Sequence, residues 1–113
     1  MDKKIQEFIL SLGISPAKKG FRAICAGVRI LMEHPDYGTQ ISKSLYPAIA
    51  AECGLTKTSA ERSIRAAVER LFDTQGYDDI VGKLKLTPDR NKGKYTNSEF
   101  LTICALLLGV DQE

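Results

Sequence analysis

Residues 45–65 (Leu-Tyr-Pro-Ala-Ile-Ala-Ala-Glu-Cys-Gly-Leu-Thr-Lys-Thr-Ser-Ala-Glu-Arg-Ser-Ile-Arg) leave few options for folding. Pro47 suits the first position of a helix, where no amide donor is needed. Gly54 adopts positive φ without strain and so can stop that helix. A second helical pattern follows, in which Ala60, Ile64, Ala67, Val68 and Leu71 recur at helical spacing as one apolar stripe. Ile49, Ala50, Cys53, Gly54 and Leu55 run apolar, small, apolar, glycine, apolar, the order of a helix-turn-helix corner. Ser63 falls where that pattern wants an apolar residue, so the expected turn is longer than in the shortest examples.

The second helix is expected at about 59–72. Thr58 stands three residues before Glu61, which fits a capping box with Thr58 as the N-cap. At about 100° per residue, Arg62 and Glu69 lie nearly opposite the apolar stripe, Arg65 and Ala66 flank them, and Glu61 sits at the edge. Such a face is a solvated surface or a reading surface. In a helix-turn-helix the second helix enters the DNA major groove. There Arg can donate twice to guanine and a carboxylate can accept from cytosine. Ala66 is a good helix former, and its small side chain would also let the backbone approach DNA. Glu61 has two competing uses, cap or base contact, and spacing alone favours the cap.

The remaining segments also read as helices. Ile5, Phe8, Ile9 and Leu12 share a face of 2–12, closed by Gly13. Phe21, Ile24, Val28, Ile30 and Leu31 point inward from 20–33, which ends before Pro35. Residues 39–45 suggest a helical turn, and Tyr77, Ile80, Val81 and Leu84 a helix at 77–84. Thr96 and Glu99 form a second capping box opening a helix at 97–108. No segment has strand period. The expected class is all-α, a bundle of about six helices in a single domain over residues 1–113.

The net charge of +2 is a weak pointer to nucleic acid, but its distribution says more. Lys18, Lys19, Arg22 and Arg29 occur within 17–29 without an acid. Lys83, Lys85, Arg90, Lys92 and Lys94 face Asp89 alone within 83–94. Blocks like these suit phosphates. Cys25, Cys53 and Cys104 lack metal-ligand spacing and read as buried thiols. His34 is the only histidine and has no nucleophile in its pattern. No enzyme activity and no cofactor or metal are expected. The absence of an apolar run of membrane length and of a signal-peptide core points to the cytoplasm.

Lys19-Gly-Phe21, Tyr37-Gly38, Ile41-Ser-Lys-Ser-Leu-Tyr-Pro-Ala-Ile-Ala50, Glu61-Arg-Ser-Ile-Arg65 and Thr96-Asn-Ser-Glu-Phe100 carry a resemblance. Together they resemble the C-terminal DNA-binding effector domain of the stage-zero sporulation protein A family, from about residue 5 to 108. The resemblance implies a six-helix, sequence-specific transcription regulator of sporulation that reads short promoter boxes in double-stranded DNA. It implies base contacts from Glu61 and Arg62, which shifts the expectation for Glu61 away from the cap. Ser59 stands where the family has a basic residue, so this base contact and the preferred box are expected to differ. Arg65, Lys43, Lys92 and Lys94 are the expected backbone contacts.

The region of Gly76, Asp78 and Asp79 resembles a surface offered to the RNA polymerase sigma subunit. The last helix is expected to let neighbouring copies meet on tandem boxes. No receiver domain is expected within this chain, and hence no need for phosphorylation. The alternative reading is a helical interaction module that modulates a full-length relative or RNA polymerase without reading DNA. Ser59 leans toward that alternative, and Arg62 and Arg65 lean against it.

Overall fold

The computed structural model describes residues 3–87 and 93–112. Its helices are α1 (Lys3–Leu12), α2 (Lys19–Glu33), α3 (Tyr46–Cys53), α4 (Lys57–Gln75), α5 (Tyr77–Leu84) and α6 (Asn97–Gln112). No strand occurs among the described residues, so the all-α, six-helix expectation holds.

The architecture is built around α2. Ala23 to Val28 are buried without interruption, which an amphipathic surface helix could not tolerate, and α2 touches α1, α3, α4 and α6. Two glycines set how closely its neighbours approach. A Cβ on Gly20 would lie 2.6 Å from the Ser63 carbonyl oxygen and 2.8 Å from the Ala67 Cβ of α4. One on Gly27 would meet Ile49 of α3 at 2.9 Å. Ser63, the misfit in the helix-turn-helix pattern, therefore stands where α2 presses on α4. Its hydroxyl donates to the Ser59 carbonyl at 2.7 Å within α4, which satisfies its polar atom inside the contact.

Ile5, Ile9 and Leu12 from α1, Ile64 and Leu71 from α4, Ile80 and Leu84 from α5, and Phe100 and Leu101 from α6 close the core around α2. Among the described residues the core is built of aliphatic, aromatic and cysteine side chains, and no charged side chain is buried in it.

Several boundaries differ from expectation. α4 begins at Lys57 with Thr56, not Thr58, as its N-cap; the Thr56 hydroxyl accepts from the Ser59 amide at 3.0 Å. Thr56 is the residue in extended conformation after the Gly54–Leu55 turn, and that geometry decides which threonine caps. Glu61 therefore lies beyond the cap and is not part of a capping box. Residues 39–45 do not form one helical turn. A 3-10 turn at Pro35–Thr39 is followed by a π turn at Ile41–Leu45 that runs directly into α3, with Pro47 in its first turn. The second capping box is present: the Thr96 amide donates to the Glu99 carboxylate at 2.8 Å, and the Glu99 amide to the Thr96 hydroxyl at 3.1 Å. α6 continues past the expected end at 108 to Gln112.

Candidate nucleic-acid interface

The corner between α3 and α4 is made locally. Gly54 caps α3 in the left-handed region at φ 67°, and the Leu55 amide donates back to the Ala50 carbonyl at 2.9 Å. This satisfies a carbonyl at the end of α3 and turns the chain within three residues into the Thr56 cap. Ile49 and Ala50 on α3 and Ala60 and Ile64 on α4 are buried in the common core. With its stripe inward, α4 presents Arg62 and Ala66 to solvent and leaves Glu69 partly exposed. Arg62 lies less than two turns from the start of α4 and makes no side-chain hydrogen bond or ion pair among the described residues.

Charges alternate along one flank of α4. Arg65 pairs with Glu61 one turn earlier, and this hydrogen bond, reinforced by the charge of Glu61, raises the Arg65 pKa further above its ordinary value. Glu69, one turn later, accepts from Lys94 at 3.0 Å. All four side chains are at least a quarter exposed, so these pairs exchange readily with a stronger partner.

The start of α6 abuts the same flank. The Asn97 side-chain amide donates to the Tyr46 hydroxyl at 3.0 Å and to the Glu61 carbonyl at 3.1 Å. One side chain thus ties α6 both to the first residue of α3 and to the first turns of α4. Behind this contact, Tyr95 is nearly fully buried, packs edge-on against Phe72 with ring centroids 5.2 Å apart, and donates its hydroxyl to the Leu86 carbonyl.

A family model described as the C-terminal region of the sporulation initiation factor Spo0A matches residues 5–108. The chain belongs to that family. The family consists of DNA-binding effector domains of sporulation regulators, so the chain is a DNA-binding regulatory domain and its partner is double-stranded DNA. It is not an enzyme family. Within the Spo0A C-terminal fold, α3 and α4 are consistent with the helix-turn-helix expected from residues 45–65.

The residues singled out in the sequence fall into distinct places. Ser59, Glu61, Arg62 and Arg65 lie together on the first half of α4, with Glu61 held by Arg65 and not by the helix cap. Lys43 is exposed in the π turn before α3. Lys94 joins the α4 flank through Glu69. Lys92, like Arg90, lies outside the described residues.

Gly76 is the break between α4 and α5, at φ 84°, and Asp78 and Asp79 are exposed in the first turn of α5. Gly76 follows Arg62 by 14 positions, or roughly 21 Å along a helix axis. The acidic surface and the face bearing Arg62 are therefore separate. His34 caps the end of α2 and stacks on Tyr37 with ring centroids 4.9 Å apart. Among the described residues no group of His, Cys, Asp or Glu could hold a metal ion, and no helix is long and apolar enough to cross a membrane.

Sequence reasoning missed Asn97. Its place inside a recognised capping box hid its side chain's second use, because nothing in local spacing reports a contact 36 residues away.

Proposed function

We propose that α4 reads a short promoter sequence in the DNA major groove, with Arg62 donating to a guanine and Glu61 accepting from a neighbouring cytosine. The observation that carries this reading is Arg62 itself, exposed near the start of α4, opposite the buried stripe and free of any ion pair among the described residues. Glu61 is released from capping by Thr56, and DNA can draw it away from Arg65, whose guanidinium then turns to the backbone. Ser59 is too short to replace a basic side chain, so it supplies at most one hydroxyl contact and the preferred box shifts accordingly. Lys43, Lys92 and Lys94 add contacts to the backbone.

Exposed apolar surface on α6, where Leu106 is 60% exposed, supports contact between neighbouring copies on tandem boxes. The exposed acids Asp78 and Asp79 beside Gly76 support an RNA polymerase sigma subunit as a further partner. A mobility-shift titration on promoter DNA and on the same DNA scrambled tests the reading. The expected result is tighter binding to the promoter, and equal binding to both would refute base reading.

A further inference from the structure

The second flank of α4 differs from the first. Between the α1–α2 connection and α4 runs an open groove of about 420 Å³. Lys18, Lys19 and Arg70 stand along it, Gly20, Ala66 and Ala67 make part of its wall, and none of its lining residues is acidic. All three cations are exposed, and none pairs with an acid among the described residues. On the opposite flank, Arg65 and Lys94 are each already held by a glutamate. The contact of Gly20 with the Ser63 carbonyl is what brings Lys18 and Lys19 alongside α4.

We propose that this groove binds the phosphate backbone of one DNA strand and is the main electrostatic anchor of the domain. The inference rests on the major-groove reading of α4. A helix about 10–12 Å across fills a major groove about 12 Å wide, so both of its flanks meet phosphates, one strand on each side. Ala66 belongs both to the exposed face of α4 and to the groove wall, so a strand beside the base-reading face continues into the groove. The small apolar residues suit a deoxyribose edge, and the rim of cations suits the phosphates on either side. Because none of these cations has an acid to leave among the described residues, phosphate gains their full attraction. Arg65 and Lys94 must first exchange a carboxylate.

The test is fluorescence anisotropy of the whole chain on promoter and scrambled DNA over a range of salt concentrations. It compares wild type with the triple variant Lys18→Gln, Lys19→Gln, Arg70→Gln and with Lys94→Gln. The triple variant should weaken on both DNAs alike and keep its preference for the promoter. Its log–log salt slope should shrink by about 0.9 for each cation that touches a phosphate. Lys94→Gln should change the slope less than the triple variant does.

Neutral methylphosphonates placed along one strand should weaken wild type more than the triple variant. Circular dichroism establishes that the variants fold. If the triple variant does not, Lys18→Gln and Arg70→Gln alone carry the slope measurement. An unchanged slope overturns the proposal, even if inorganic phosphate is found to bind the groove. A wild type that binds both DNAs equally, with the slope falling in the variant, would sink base reading and leave the groove standing. A wild type that binds no DNA would sink both.

Discussion

Replacing Gly20 with alanine should destabilise the protein, although alanine is the better helix former. The added Cβ would lie 2.6 Å from the Ser63 carbonyl oxygen and 2.8 Å from the Ala67 Cβ. Both obstacles are fixed parts of α4, not the far ends of flexible side chains, so relief requires α2 and α4 to move apart. Overpacking of this kind costs about 1–3 kcal/mol. The helix-propensity gain of alanine, at most about 1 kcal/mol inside a helix, is smaller at the second residue of α2 and does not offset it.

A net loss of about 1–2 kcal/mol lowers the melting temperature by roughly 4–8 °C for a domain of this size. Gly82→Ala provides the control. Gly82 lies inside α5, and a Cβ there meets nothing within 4 Å. That substitution should stabilise by about 0.4–1 kcal/mol. Thermal melts followed by circular dichroism compare the two variants with wild type. A Gly20→Ala protein that melts with Gly82→Ala, above wild type, would refute the close α2–α4 contact.

Thr56→Ala should cost about 0.5–2 kcal/mol in urea unfolding, whereas Thr58→Ala, inside the first turn, should stay within about 0.5 kcal/mol of wild type. Glu69→Gln removes the carboxylate that holds Lys94 and should tighten binding to all DNA sequences, read by anisotropy; weaker binding would assign Glu69 a direct role on DNA. Burial raises the Cys25 thiol from 9.0 to about 11 and the Tyr95 hydroxyl from 10.0 to about 12, and raises Cys104 as well. These groups stay protonated in the folded state where the unfolded chain ionises. Their contribution is therefore complete below the unfolded values and lost as pH rises from about 9 toward 12. Melting temperature should be level near neutral pH and fall above about pH 9, and a level profile up to about pH 11 would contradict the buried placement.

The helices were legible where one element's own pattern decided them. The stripe from Ala60 to Leu71, the left-handed break at Gly54 and the Thr96–Glu99 box all depend on residues within a few positions. The N-cap of α4 was misread because two threonines compete and backbone geometry after the turn selects between them. The π turn at Ile41–Leu45 has no pattern of its own, since its hydrogen bonding is set by where the chain must enter α3.

At the interface, the outward position of Arg62 followed from periodicity alone. The engagement of Arg65 by Glu61 was latent in their four-residue spacing. Asn97 on Glu61, Lys94 on Glu69 and the meeting of Lys18, Lys19 and Arg70 join parts of the chain far apart in sequence, and only the packing of α2 and α6 against α4 brings them together.

The most direct test of sequence reading by α4 is selection from a random DNA library by wild type and by Arg62→Ala, followed by sequencing of the bound pools. Wild type should enrich a short motif. Arg62→Ala should enrich the same motif with one guanine relaxed, corresponding to a loss of about 1–3 kcal/mol at that base pair. No enriched motif from wild type, or the same motif with unchanged preference at every position from both proteins, would contradict it.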